Sequence, residues 1–334
     1  MNRMLRPCGL RDGEPITPKS AGFTEYGHLK KFCIDTSSAN QKRVLVTGAG
    51  SYIGENFKTY AQIYYSENFQ VDTLNMHGDD WRHKDFSDYD CILHVVGIAH
   101  ADIGHVSKEM KNKYYSINTD LAIEVAKKAK QDHVKQFVFM SSMIIYGESG
   151  GYKQKKIIGP NTLPEPANFY GDSKWQADKG IRNLANENFH VAVIRPPMIY
   201  GKGSKGNYPK LAKLGKKIPI FPDIKNERSM LYVENLCEFL CKLVLSGKDG
   251  IYFPQNNDYI KTSELVKNIN RQIYLHGFLN PLLAIASCFP GRIGRLTNKA
   301  FGNFVYKKEM SVYDGLDYIM YDLHNSIERA EGRK

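Results

Sequence analysis

The stretch "VTGAGSYIG", residues 46–54, places three glycines between a short β-branched run and a helix-like segment that continues from Ile53. Glycine allows the backbone to approach a pyrophosphate, and the start of a helix supplies free N–H groups and the positive end of a dipole. Gly48, Gly50 and Gly54 therefore predict a dinucleotide-binding turn. A tight turn with a purely structural role is the alternative that this motif alone leaves open.

The chain after this turn alternates apolar runs with helix-like segments. The apolar runs are "FQVDTLNM", "YDCILHVVG", "VKQFVFMSS" and "FHVAVIRPPMIYG", and "NTDLAIEVAKKAK" has apolar residues at helical spacing. Strands that are apolar throughout and alternate with helices predict a parallel sheet covered on both faces. We therefore expect an α/β protein: a Rossmann-type, doubly wound sheet over residues 42–200, and a smaller C-terminal substrate-binding lobe over 201–334 with parts returning to the first domain. Residues 1–41 are predicted to be a poorly ordered extension.

The chain of 334 residues carries a net charge of +11, which predicts an anionic partner. It contains no recognisable nucleic-acid-binding motif, so we expect no nucleic acid and favour a phosphate-bearing small molecule. The densest basic stretch is residues 201–217, for which a solvated basic surface is the alternative. Because apolar runs of the roughly 18–20 residues that span a bilayer are absent and no signal segment is recognisable, we expect a soluble, cytoplasmic protein.

The six cysteines form no CxxC motif and no Cys/His cluster. This distribution predicts buried free thiols and no metal site.

A second motif is "NFYGDSK", residues 168–174, in which Tyr170 precedes Lys174 by one turn of a predicted helix. Ser141 and Ser142 end a predicted strand and should lie at the edge of the sheet where ligands bind. Tyrosine is a poor base at its usual pKa of about 10. We expect the Lys174 ammonium to pull the pKa of Tyr170 toward neutrality, with Ser142 hydrogen-bonded to the same oxygen. These parts suit proton transfer at a sugar hydroxyl during hydride transfer; a surface pair is the alternative.

Several motifs in order over residues 43 to about 270 resemble the extended short-chain dehydrogenases/reductases, specifically the NAD-dependent epimerase/dehydratase family. They are "VTGAGSYIG", "ILHVVGIAH", "YYSINTDLA", "FMSSMIIYG", "FYGDSK", "RPPMIYGKGSKGN" and "NERSMLYVENL". The resemblance implies Tyr170 as the catalytic base, Lys174 as its partner on the nicotinamide ribose, and Ser142 as the residue that positions the hydroxyl. It also implies an active-site contact from Asn118.

The cofactor implied by the resemblance is NAD. Its contacts would be Gly48, Gly50, Ser51, Tyr52, Ile53, Gly54, Asn75, Val96, Gly97, Asn118, Tyr170 and Lys174. The chain departs from the family pattern at Ser51, often glycine, at Asn75, often acidic, and at Ala99, where a lysine often stands. Asn75 can still bond a ribose hydroxyl, and no arginine follows it to hold a 2′-phosphate, so NAD is favoured over NADP. Asp79 or Asp80 is expected to contact the adenine.

On the substrate side the resemblance implies that Ser142, Asn207 and Arg228 bind a nucleotide sugar. Asn207 and Arg228 would hold its diphosphate and ribose, because the planar guanidinium makes paired bonds to phosphate. The lysines at 202, 205 and 210 would add a positive field. A homodimer is the expected assembly.

The predicted activity is 4-epimerisation of UDP-glucose/UDP-galactose or the N-acetylhexosamine equivalents through a transient 4-keto sugar. Dehydration is not expected, because Met143 and Ile144 stand where the family's dehydratases carry Asp and Glu. The alternatives are a 4-keto sugar reductase or dehydrogenase, an epimerase of a lipid-linked pyrophosphate sugar, and a non-catalytic NAD or nucleotide sensor.

Residues 277–296 are apolar and then basic. This segment is predicted to pack as a helix of the small lobe. Weak contact with a membrane surface is the alternative, since the segment is too short to span a bilayer.

Overall fold

The computed structural model describes residues 41–99, 106–152, 154–289 and 291–333. The extension predicted over residues 1–41 lies, apart from Gln41, outside the described residues. The strands are β1 (Lys42–Thr47), β2 (Phe69–Leu74), β3 (Cys91–His94), β4 (Gln136–Met140), β5 (Ile157–Ile158), β6 (His190–Ile194), β7 (Met198–Tyr200), β8 (Ile220–Pro222), β9 (Met230–Tyr232), β10 (Gly250–Tyr252), β11 (Tyr274–His276) and β12 (Val305–Tyr306). The helices are α1 (Tyr52–Tyr64), α2 (Lys108–Tyr115), α3 (Leu121–Gln131), α4 (Phe169–Arg182), α5 (Asn207–Gly215), α6 (Val233–Ser246), α7 (Thr262–Ile269), α8 (Asn280–Cys288), α9 (Arg292–Phe301) and α10 (Leu323–Ala330).

Six strands form a parallel sheet in the order β10-β6-β4-β3-β1-β2. The order reverses beside β1, which makes the sheet doubly wound and puts a ligand crevice at the carboxyl edge, between β1 and β3. Successive residues of a strand point to opposite faces. In β1, Val44 and Val46 enter the cluster with α1 and α6, and Leu45 enters the cluster with α3 and α4. The predicted α/β fold with a parallel sheet is confirmed.

The C-terminal half of the chain also contributes to this sheet and its cover. Strand β10 is the sixth strand and pairs with β6. Helix α6 has ten buried residues on one side of the sheet. Its Glu238 accepts hydrogen bonds from the hydroxyls of Tyr60, at 3.0 Å, and Tyr65, at 2.9 Å. These bonds join α6 to α1 and to the turn that follows it.

The apolar-then-basic segment over residues 277–296 forms parts of two helices, α8 and α9, which pack against each other. Asn298 donates to the carbonyl of Ser287 at 3.4 Å, and a Cβ at Gly294 would collide with the carbonyl of Phe289. The prediction of a single packed helix is therefore wrong: the helix breaks after Cys288, and α8 has no buried residue. Among the described residues, no helix combines the length and the apolar character needed to cross a bilayer.

The cysteines divide into two groups. Cys91, Cys237 and Cys241 are free and buried, as predicted, whereas Cys288 is free and exposed because it lies on α8. The prediction that all six thiols are buried is therefore wrong at Cys288. Cys8 and Cys33 lie outside the described residues.

Candidate active site

The glycine turn links β1 to α1 at the carboxyl edge of the sheet. Gly48 and Gly50 have φ of +109° and +74°, a region that favours glycine. Ser51 caps α1 by accepting the N–H of Gly54 at 3.2 Å, and a Cβ at Gly54 would lie 2.6 Å from its Oγ. Within the part of the chain that the structure describes, no heavy atom beyond its own neighbours lies within 4 Å of a Cβ built on Gly50. The turn thus presents open space beside the start of a helix, which fits a pyrophosphate.

A carboxylate of the chain itself accepts a hydrogen bond from one N–H of this turn. The N–H of Gly50 donates to Oε1 of the exposed Glu55 at 2.9 Å. The carboxylate stands where a phosphate oxygen would accept the same bond. The N–H of Gly50 is therefore oriented so that an anionic oxygen can accept it, and Glu55 would compete with a ligand for that bond.

Tyr52 and Ile53 point away from the open side of the turn. Both side chains pack on the core between the sheet and α6. The Tyr52 hydroxyl is buried without a hydrogen-bond partner among the described residues, and burial raises its pKa. Their predicted cofactor contacts would therefore have to come from the backbone.

The loop after β3 lies against the turn on one side and α4 on the other. A Cβ at Gly48 would lie 3.0 Å from Cγ2 of Val96. A Cβ at Gly97 would lie 3.0 Å from Nζ of Lys174 and 3.1 Å from Oδ1 of Asn118. Gly97 therefore leaves a passage toward both side chains that any larger residue would fill.

Asn118 is fully buried in a π-helical turn, Ser116–Asp120, between α2 and α3. Its Oδ1 accepts the N–H of Ile98 at 2.8 Å, and its Nδ2 donates to the Ile98 carbonyl and to Oγ of Ser173, both at 3.1 Å. Single π-helical turns are frequent at functional sites. Asn118 thus fastens the loop after β3 to α4.

Asn75 follows β2 directly and is exposed. Its Oδ1 accepts the N–H of His77 at 3.0 Å. The Leu74 carbonyl accepts the N–H of Gly48 at 2.9 Å, so Asn75 lies beside the glycine turn. Asp79 and Asp80 are exposed in the following turn, where Asp79 pairs with Arg82.

Ser142 and Tyr170 come together because α4 lies close to the turn after β4. Asn168 caps α4 by accepting the N–H of Gly171 at 3.0 Å. A Cβ at Gly171 would lie 2.8 Å from the Ile144 carbonyl, so glycine permits this approach. The Ser142 hydroxyl accepts the N–H of Ile144 at 3.3 Å and lies close enough to Tyr170 to influence the pKa of its phenol.

The protonation of Tyr170 differs from the expectation. Burial raises its pKa to about 12, while the nearby Ser142 hydroxyl lowers it in part. Lys174 does not contribute to this shift. The predicted pull of Lys174 on the pKa of Tyr170 is therefore wrong for the protein alone, because the loss of solvent around the phenol dominates.

Lys174 is buried beneath the site. Its Nζ donates to the Met140 carbonyl at 3.0 Å and lies 5.0 Å from the ring centre of Phe139. Burial lowers the pKa of Lys174 to about 8, and the carboxylate of Asp178 acts in the opposite direction. The ammonium lies beside Gly97, where a Cβ would come within 3.0 Å of Nζ.

A buried ion pair that the sequence analysis missed supports this arrangement. Asp178, on α4, accepts from Oγ of Ser141 and from Nε and Nη2 of Arg195, each at 2.9 Å. Arg195 also donates to the Tyr146 hydroxyl at 2.7 Å. The available signal was an arginine directly after an apolar strand and an acid one turn beyond Lys174. The pair attaches α4 to the ends of β4 and β6.

Of the three predicted substrate residues, Ser142 follows β4, whereas Asn207 and Arg228 lie in the part of the chain after residue 200. Asn207 begins α5, and the lysines at 202, 205 and 210 are exposed. Arg228 donates to the Gly302 carbonyl at 3.2 Å, and burial lowers its pKa to about 10. Asn226, whose Nδ2 lies 3.4 Å from the same carbonyl, lines a cavity of about 250 Å³. Asn280 of α8 lines this cavity too.

Comparison with known proteins gives a consistent set of relatives. A model described as the NAD dependent epimerase/dehydratase family matches residues 44–252. The chain is 25% identical over 248 residues to a UDP-glucose 4-epimerase of Vibrio cholerae, covering 68% of this chain and 75% of the relative. It is 30% identical over 171 residues to an N-acetyl-alpha-D-glucosaminyl-diphospho-ditrans,octacis-undecaprenol 4-epimerase of Escherichia coli O157:H7, covering 48% and 50%.

A solved structure shares the fold at low identity. The UDP-glucose 4-epimerase of Thermus thermophilus, in complex with NAD, has a TM-score of 0.66 at 17% identity, covering 87% of this chain and 98% of that one.

Proposed function

The chain belongs to the NAD-dependent epimerase/dehydratase family, and we propose that it inverts C4 of a nucleotide-linked sugar through a transient 4-keto intermediate. The observation that carries this proposal is the proximity of Ser142 to Tyr170 at the carboxyl edge of a parallel sheet, with the buried Lys174 one turn further along the same helix as Tyr170. A sensor on this fold has no need of such a group.

The cofactor, NAD, fits the residues on the other side of the crevice. The glycine turn offers N–H groups at the start of α1, and Gly97 leaves room beside Lys174 and Asn118. Lys174 would hold the ribose next to the nicotinamide, and Asn75 would face the other ribose. When bound, NAD would accept the hydride of C4 reversibly and, in its oxidised form, would bring a positive charge to the site.

Tyr170 moves the proton of the C4 hydroxyl in this scheme. With a pKa of about 12 in the protein alone, it holds its proton at neutral pH and is suited to give a proton to a forming alkoxide. In the first half of the reaction the phenolate, favoured by a nearby positive charge, would take the proton of the C4 hydroxyl, and in the second half the phenol would return it to the alkoxide. Ser142 would bond to the Tyr170 oxygen and fix its position.

Dehydration is disfavoured by the turn after Ser142. Met143 is buried, Ile144 is half-buried, and neither can exchange a proton. Elimination of water from the sugar needs an acid and a base at these places. The lack of general acid–base help typically costs about 10²–10⁴ in rate.

Arg228 is the proposed ligand of the substrate diphosphate. A guanidinium whose pKa has been lowered to about 10 by burial gains from a nearby anion, and its fork matches phosphate oxygens. UDP is the proposed carrier, as in the name of the V. cholerae relative. A lipid-linked diphosphate is the second candidate, because the E. coli relative is named for one and Asn280 of the exposed, apolar α8 lines a cavity together with Asn226, which donates to the same Gly302 carbonyl as Arg228.

The first test is mass spectrometry of small molecules released from the denatured protein, followed by incubation with UDP-sugars. We expect NAD to be released and a C4 epimer of unchanged mass to form. Absence of any dinucleotide, even after its addition, would contradict the scheme. Net reduction with consumption of NADH would favour a reductase, and loss of water would indicate a dehydratase.

The base is tested with two tyrosines, Tyr170 on α4 and Tyr115, which is bonded to α4. Tyr170→Phe should lower turnover by about 10²–10⁴, since only the proton carrier is lost, and should leave the NAD content unchanged. Tyr115→Phe removes a hydroxyl that donates to Asp172 at 2.8 Å outside the site, and should stay close to the wild-type rate. Equal rates for the two variants would refute the role of Tyr170.

A further inference from the structure

The segment around α8 leaves an apolar face in solvent. Five large apolar side chains on this helix and on the segments that flank it are each 54–64% exposed: Phe278, Leu282, Ile285, Phe289 and Ile293. We call these five residues the apolar face. Contiguous exposed apolar surface of this kind marks a site of contact with a protein or a membrane.

The stretch of sequence that contains the apolar face carries basic residues and no acidic ones. Residues 265–308 contain no Asp or Glu, and their basic residues are Lys267, Arg271, Arg292, Arg295, Lys299, Lys307 and Lys308. Arg271, Lys307 and Lys308 form ion pairs with acids outside this stretch. Helix α9, packed on α8, adds three bases and no acid of its own.

These two features favour an anionic lipid surface over a second copy of the chain. A twofold contact through the apolar face would bring two acid-free basic stretches together, and like charges across an interface are unfavourable. A bilayer with anionic headgroups accepts apolar side chains and attracts Lys and Arg at the same depth. We propose that the apolar face docks on the surface of a bilayer that contains anionic phospholipid.

The docked orientation has a consequence for the cavity. Asn280 stands at the start of α8, lines the cavity, and donates to the Asp223 carbonyl at 2.8 Å. Docking through α8 therefore places the cavity beside the membrane surface. The proposal does not depend on which sugar, or which carrier, the enzyme uses.

Vesicle sedimentation of the full chain tests the proposal with a matched control. The vesicles are phosphatidylcholine alone, or phosphatidylcholine and phosphatidylglycerol in equal parts. Leu282→Gln and Ile285→Gln remove apolar surface at exposed positions, so the thermal unfolding midpoint should not change. Ile63→Gln is the control, because Ile63 is 61% exposed on α1, away from α8.

We expect the wild type and the Ile63→Gln variant to sediment with the anionic vesicles, and less so at high salt, where screening is strong. Each change on the apolar face should weaken this binding by about tenfold, since part of a large apolar side chain no longer leaves water. A Phe289→Trp variant should shift its fluorescence to the blue when the anionic vesicles are added.

Three results would overturn the proposal. The first is that the wild type fails to sediment with either kind of vesicle. The second is that the apolar-face variants bind as tightly as the wild type, which would indicate attraction by charge alone. The third is that those variants dissociate a dimer while no form of the chain binds vesicles, which would make a second copy the partner. None of these results bears on activity toward UDP-sugars, which is measured without lipid.

Discussion

Helices α6 and α8 are both rich in apolar residues, yet they occupy opposite environments. Ten residues of α6 are buried, whereas α8 has none. Helix α6 lies on the sheet and α1, and its Glu238 is bonded by Tyr60, Tyr65 and Lys242. The difference shows that apolar content alone does not bury a helix; complementary neighbours do. An apolar helix that lacks them is available for another surface.

The largest contrast between these helices should be in thiol reactivity. Burial raises the pKa of Cys237 and Cys241 on α6 well above the usual value, so their reactive thiolates are scarce, and reaction also requires the structure to open. Cys288 on α8 is exposed. We expect Cys288 to react at least ~10³-fold faster with a thiol reagent, because opening a core costs several kcal/mol. Peptide mapping by mass spectrometry assigns each site, and equal rates would show that α6 opens as readily as α8.

A matched pair of leucines gives the next largest contrast. Leu240 on α6 is fully buried, and Leu282 on α8 is 63% exposed. Leu240→Ala should lower the free energy of unfolding by about 2–5 kcal/mol, since it leaves a cavity. Leu282→Ala should change it by no more than about 0.5 kcal/mol. Urea unfolding measures both, and a large loss for Leu282→Ala would place α8 in a packed interior.

Polar support of the two helices should differ by a smaller amount. Tyr60→Phe removes a donor to the buried Glu238 and should cost about 1–3 kcal/mol of unfolding free energy, because a buried acceptor loses a bond. Ser287→Ala on α8 removes a bond from its hydroxyl to the Ala284 carbonyl and a weak contact with Sγ of Cys288, both within the same exposed helix, and should be nearly neutral. Thermal melts of the two variants report the difference. Equal melting temperatures would mean that Glu238 finds other donors.

The smallest contrast lies at the helix ends. Gly247 ends α6 with φ +63°, which a side chain adopts with strain, so Gly247→Ala should cost roughly 1 kcal/mol. Phe289 ends α8 with φ −66°, and Phe289→Ala introduces no such strain. Urea unfolding of both variants measures the difference. A stabilising Gly247→Ala would contradict the left-handed end of α6.

The elements with strong local signals were predictable from the sequence. The strands β1, β3, β4 and β6 are continuous apolar runs, and they form the central strands of the sheet. The glycine turn and the cap of α4 at Asn168 depend on residues only a few positions apart, so local spacing predicts them.

Features that depend on distant contacts were not predictable. The bonds from Ser141 and Arg195 to Asp178 form only when β4, β6 and α4 come together. The pKa of Tyr170 depends on how much solvent the fold removes, which the spacing to Lys174 does not report. The exposure of α8 depends on the lack of a facing partner among the described residues, and an apolar sequence carries no information on that.

Asn118 determines how precisely two distant segments of the site are positioned relative to each other. Gly97 and Lys174 belong to segments far apart in the chain. Small displacements along the intervening backbone would ordinarily change the distance between them. One buried amide spans the gap, holding both polar backbone atoms of Ile98 and the hydroxyl of Ser173. The distance between Ile98 and Ser173, and with it the spacing of the neighbouring Gly97 and Lys174, is therefore held by one side chain.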